Sequence, residues 1–212
     1  MNFARSVPDF RRSDKGNIQH RLADIIILMI LARECGCVGR ADIIEFGRLH
    51  LNKFHRLGIL RNGVPSESTL CRAENGINDH AMADRMQDFA GVFYKELLKK
   101  GCGMEIICIP ADTRKPGTIV RDHWSIESMH RGLDYNLQQD NIKRKSTRAA
   151  RNLDTIQRIV YSVFSIWKGL RKKRSDKNKG IAELMRHVSM SFTRLMRFLS
   201  QNCQDFDNRI FF

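Results

Sequence analysis

In the stretch HWSIESMHRGLD, residues 123–134, the side chains His123, Glu127, His130 and Asp134 recur at helical spacing. On a helix such spacing stacks two imidazoles and two carboxylates along one face. These are the groups that hold divalent metal or move protons, so the face reads either as a metal or acid–base site or as a hydrogen-bonded polar edge. Beside it, Ile126, Met129, Leu133 and Leu137 form an apolar stripe. That stripe would dock the helix on a core and leave the polar one at the rim, open to a metal or a phosphate.

A second chemistry is written in charge. The 212 residues carry 37 Lys+Arg against 23 Asp+Glu, a formal net charge of +14. A field of that sign draws polyanions, nucleic acid before an anionic membrane. The excess concentrates in the C-terminal half, where Lys143, Arg144, Lys145, Arg148, Arg151, Arg171, Lys172, Lys173 and Arg174 are the candidate nucleic-acid-binding residues. The six cysteines include no Cys-x-x-Cys pair, and no charged-then-apolar leader is visible, which points to a reducing cytoplasm. Cys35-Gly-Cys37 reads as two half-buried thiols rather than a chelate, because it lacks a second pair. The longest apolar run, IIILMILA at 25–32, is far below the ~20 residues of a membrane span.

The elements that must position these groups are mostly helices. Residues 20–34, apolar over most of their circumference, read as a helix at the centre of a bundle, ended by Gly36 and Gly39. An amphipathic helix follows over RADIIEFGRLHLNKFHRL, 40–57. Asn62-Gly63 turns the chain, Pro65 and Ser66 open a short helix over 66–75, and Gly76 with Asn78 closes it. That helix is a candidate recognition helix of a helix-turn-helix, with Glu67, Arg72 and Glu74 exposed. Two acids facing phosphates favour plain bundle packing instead. Residues 79–100 carry the stripe Met82, Met86, Phe89, Val92, Phe93 and Leu97. MEIICI, 104–109, is the one strand signal, and it lacks a partner strand. A helix over 119–137, weakened by ~1 kcal/mol at Gly132, carries the polar face. Another carries Leu153, Ile156, Ile159, Val160, Val163, Phe164 and Trp167 between two basic ends, and the last spans 180–201.

Several of these stretches together resemble the H-repeat-associated group of insertion-sequence transposases. They are VPDFRR at 7–12, His20-x-Leu22-x-Asp24-Ile25, DIIEFGRLHLNKF at 42–54, NGVPSESTLCR at 62–72, HWSIESMHRGLD, and the basic NIKRKSTRAARNLDTIQR. The resemblance implies a helical N-terminal domain followed by a ribonuclease-H-like domain of the DDE type. In that domain two aspartates and a glutamate hold Mg²⁺, two ions ~4 Å apart, for cutting and joining DNA. By motif position Glu127 is the glutamate and a metal ligand, with His123 and Trp124 in supporting roles beside His130 and Asp134. An ungapped match puts Pro110 where the first aspartate belongs, whereas a two-residue shift lets Asp112 serve, with Arg114 and Lys115 nearby. The second aspartate and most of the central sheet have no counterpart between strand 104–109 and Glu127. Ser128 and Arg131 depart from the family pattern, and one residue is missing between Glu127 and His130.

The expectation is therefore a mainly α chain: a helical bundle over 1–101, a residual strand and loop over 102–118, and a C-terminal remnant of the catalytic domain with a basic tail over 119–212. It is an internally deleted transposase-family protein, catalytically incomplete, that does not hold Mg²⁺ productively. Its expected partners are the DNA ends of an insertion sequence, a second copy or a full-length transposase, and no membrane. The alternatives are a non-catalytic basic protein that binds DNA or a transposase, and a vestigial product without function.

Overall fold

The computed structural model describes residues 2–12, 16, 18–88, 131–138, 144, 146–170 and 180–196. Every regular element among them is a helix: α1 (Asn2–Ser6), α2 (Leu22–Glu34), α3 (Arg40–Leu49), α4 (Leu51–Arg56), α5 (Glu67–Gly76), α6 (79–88), α7 (131–137), α8 (Thr147–Leu170), α9 (Ile181–Ser189) and α10 (192–196). The strand expected at 104–109 lies outside the described residues, as does the boundary expected at 101–102.

Helix α2 is the axis of the bundle. Residues 25–34 are all buried, and α1, α3, α5, α8 and α9 pack around it. A helix apolar on all sides is stable only where neighbours cover every side, so its composition dictated this central place. It ends where Gly36, at φ +85°, takes the left-handed conformation that glycine adopts without steric cost. The core continues without interruption from Phe3 to Leu195. It includes Phe54, Leu70 and Met82 from the N-terminal half, and Ile156, Val160 and Phe164 from α8.

Local caps follow the sequence. Asp42 accepts the Gly39 N–H at 2.8 Å at the start of α3. The Ser66 hydroxyl accepts the Thr69 N–H at 3.3 Å at the start of α5. Asn78, expected to close the short helix, instead opens the next one, its side-chain oxygen accepting the Ala81 N–H at 3.1 Å. Helix α1 went unread, being five residues long; Phe3, Ala4 and Val7 seat it on α2.

Two expected helices are broken. The amphipathic helix over 40–57 divides at His50 (φ −114°, ψ 11°) into α3 and α4. The last helix divides at Met190 and Ser191, where the Ser191 hydroxyl caps the Arg194 N–H at 3.2 Å. Both breaks serve one aromatic cluster. The Phe192 ring sits 5.3 Å from Phe54, 6.4 Å from Phe46 and 5.0 Å from the His50 imidazole, and Lys53 lies over it at 5.2 Å. Neither break has a proline or glycine at it; each is imposed by packing.

Candidate nucleic-acid interface

Of the residues expected to touch nucleic acid, Arg144, Arg148 and Arg151 are described, and all three engage carboxylates of the N-terminal bundle. Arg144 Nη2 donates to Glu74 Oε1 at 3.2 Å, and its Nε lies 3.0 Å from Oε2 without being aimed as a hydrogen bond. Arg40, at the start of α3, donates through Nε and Nη2 to the same Oε2 at 3.0 and 2.6 Å. That bond to Glu74 holds the Arg40 guanidinium above its ordinary pKa. Arg33 completes a group of cations around one carboxylate: burial, then the nearby Arg144 guanidinium, lower it to about 10.

Glu74 itself has a fully buried side chain, which overturns its expected exposure on α5. Leu70, Ala73, Glu74 and Ile77 stand at i, i+3, i+4 and i+7, so Glu74 shares the apolar face that packs on α8. Glu67 and Arg72 are exposed as expected. Helix α5 follows α4 only after residues 57–66, longer than the three- or four-residue turn of a helix-turn-helix, and its inner face belongs to the bundle.

One turn beyond α5, Asp79 takes Arg151 Nη1 at 3.0 Å, with Arg148 Nε at 3.8 Å. The Arg151 hydrogen bond holds the Asp79 carboxyl below the usual carboxylate range. Arg148 and Arg151 are more than half exposed, so their guanidiniums touch an acid and face solvent together. Between these pairs, Asn152 Nδ2 donates to the Glu74 and Ile77 carbonyls, both at 2.9 Å. It satisfies backbone acceptors at the end of α5 that a helix terminus leaves open. This clasp was missed in the sequence because each partner lies some 70 residues from the other; the i, i+4 pairing of Leu70 with Glu74 was its one visible sign.

The metal-binding reading falls mostly beyond the described residues: Asp112, His123, Trp124, Glu127 and His130 lie outside them, as do Lys143, Lys145, Arg171, Lys172, Lys173 and Arg174. Asp134 is exposed on α7, while Leu133 and Leu137 are buried, as the two-stripe reading required. Gly132 is where the Tyr161 ring lies against the backbone, and Gln157 Nε2 donates to the Leu137 carbonyl at 3.0 Å. Among the described residues, no three His, Cys, Asp or Glu side chains gather as a metal would need. Cys35 and Cys37 are half-buried free thiols; burial raises both, Cys37 to about 11. No helix of the described residues is long and apolar enough to cross a membrane.

Comparison with known proteins bears on the family. A family model described as DDE_Tnp_1-associated matches residues 1–90. The "Inactive transposase" YbfQ of Escherichia coli (strain K12) is 38% identical over 72 residues, which cover 34% of this chain and 83% of that protein. The chain belongs to the H-repeat-associated transposase family. The H repeat-associated relatives YhhI and YbfD of the same organism are 36% identical over 78 and 72 residues, covering 37% and 34% of this chain. The chain thereby matches 20% and 28% of the length of those two relatives. No solved structure matches.

Residues inside the matched N-terminal region have visible work in the fold. In VPDFRR, Arg11 closes on Asp9 through Nε at 2.8 Å and Nη2 at 2.6 Å, and its Nη1 donates to the His20 carbonyl at 2.8 Å. Asp24 accepts the Leu60 N–H at 3.0 Å, holding a buried leucine at φ +55°. Asn62 donates to the Gln19 carbonyl. These bonds tie the chain before α2 to the turn before α5.

Proposed function

We propose that this member of the H-repeat-associated transposase family binds DNA and has lost strand transfer. What carries the reading is membership through the N-terminal region joined to a net charge of +14. A polycation of this kind gains affinity by releasing counterions from DNA phosphates. The name of YbfQ, an inactive transposase, is consistent with loss of activity in a relative. The sequence supports the same view: between the strand expected at 104–109 and Glu127 stand only residues 110–126, too few for the central sheet and the second aspartate. Glu127 and Asp112 would be the surviving acids of a centre that does not close around Mg²⁺, and 102–212 a remnant of the ribonuclease-H-like domain. The DNA contacted would be insertion-sequence ends, in the cytoplasm, with a second copy or a full-length transposase as protein partner.

The purified chain should bind duplex DNA with an affinity that falls steeply from low to high salt, and should leave supercoiled plasmid intact with Mg²⁺ or Mn²⁺. Nicking that disappears in Glu127→Ala would refute the loss of catalysis. Binding indifferent to salt would refute the phosphate-driven mode.

A further inference from the structure

Between Glu45 and Glu67 the chain has no acidic residue and carries Arg48, Lys53, Arg56 and Arg61. All four are exposed. Arg48 reaches Glu45 only at 3.8 Å, with both side chains largely in solvent, a contact of little worth. Lys53, Arg56 and Arg61 have no carboxylate partner among the described residues, whereas Arg144 and Arg151 each lie 3.0 Å from one.

The fold gathers the unmatched cations. Lys53 and Arg56 are neighbours one turn apart on α4, and the Arg61 guanidinium folds back to 3.7 Å from the Cβ position of Gly58, just past the end of that helix. Their support is tied in place. His55 Nε2 meets the Leu60 carbonyl at 3.0 Å, Asp24 holds the Leu60 N–H, and Lys53 lies over the Phe192 ring. A helix C-terminus favours cations through its dipole, but like charges on neighbouring positions there also repel one another. A polyanion relieves that repulsion.

We propose that α4 and the turn after it form a phosphate-contacting face for duplex DNA, separate from the basic segment around 143–151, where Arg144 and Arg151 are already matched to Glu74 and Asp79. The proposal rests on the DNA-binding reading for the identity of the polyanion; its location rests on the geometry alone. The test is a salt titration of binding to a 30-base-pair duplex by the intact chain, by Lys53→Gln/Arg56→Gln/Arg61→Gln, and by Arg186→Gln/Arg194→Gln as an exposed-arginine control. Each lost phosphate contact makes the slope of log affinity against log salt shallower by ~0.9, so the triple variant should lose ~2–3 of slope and on the order of a thousandfold in affinity at low salt. The control should lose less than ~1. Melting curves matched to the intact chain show that the variants fold; should the triple variant not fold, Arg56→Gln alone must lose ~0.9. A triple variant with unchanged slope, while the intact chain binds, would overturn this face and leave the DNA-binding reading standing. An intact chain that ignores duplex DNA, or that prefers phosphatidylserine vesicles to it, would overturn both.

Discussion

Two glutamates are buried in unlike surroundings, Glu34 without a hydrogen-bond partner among the described residues and Glu74 beside arginines. Glu34, at the end of α2, has neither carboxyl oxygen hydrogen-bonded among the described residues, and burial pushes it up to about 8. The native state therefore keeps a proton that the unfolded chain releases from about pH 4.5 upward. Stability falls as pH rises across the window from 4.5 to about 8, and the penalty is complete above it. Glu34→Gln should raise stability by a few kcal/mol at pH 8.5, and by almost nothing at pH 4.5, in denaturant melts at the two pH values. Glu74 is equally enclosed but takes Arg40 and Arg144, with Arg33 close by. Removing its charge strands those cations in a low-dielectric setting, so Glu74→Gln should cost ~3–5 kcal/mol. Unchanged stability of that variant would mean the arginines reach solvent unaided.

At the scale of the element, the close approach of α3 to α2 depends on Gly47. A Cβ placed there meets Val64 Cγ1 at 2.9 Å and Leu28 Cδ1 at 3.3 Å. Alanine is the better helix former by ~1 kcal/mol, yet forcing apart a β-branched neighbour in a packed layer costs ~1–3 kcal/mol. Gly47→Ala is therefore expected to lower the melting temperature, where a solvent-facing helical glycine changed to alanine would raise it. The breaks at His50 and Met190–Ser191 belong to this scale too: Phe192 meets the rings of Phe46, His50 and Phe54 where the chain turns at both breaks.

For the whole molecule, α8 is part of the same core as the N-terminal helices. Phe164 and Phe54 are both fully buried in one continuous cluster, and Asn152 with Arg151 fastens α8 to α5 and α6. Phe164→Ala should cost ~3–5 kcal/mol and displace the transition that Phe54→Ala displaces. A calorimetric scan in which the two variants move different transitions would show that the halves melt apart.

Period and punctuation were legible in the sequence. The all-apolar circumference of residues 25–32 announced a central helix, Asn62-Gly63 and Ser66 announced a turn and a cap, and Leu153 to Phe164 announced the buried stripe of α8. These depend on neighbours within a turn or two, which the order of residues states directly. So did the family motifs at 7–12, 20–25, 42–54 and 62–72. Arg144 looked free for a phosphate and Glu74 looked exposed, because nothing local says that 70 residues of chain close into an ion pair. Long-range pairing decides which charges are spent inside the fold and which remain outside it. For this protein that distinction separates the arginines around Glu74 and Asp79 from the cations of α4, which meet no carboxylate among the described residues, and the packing of α8 against α5 drew the first half of it.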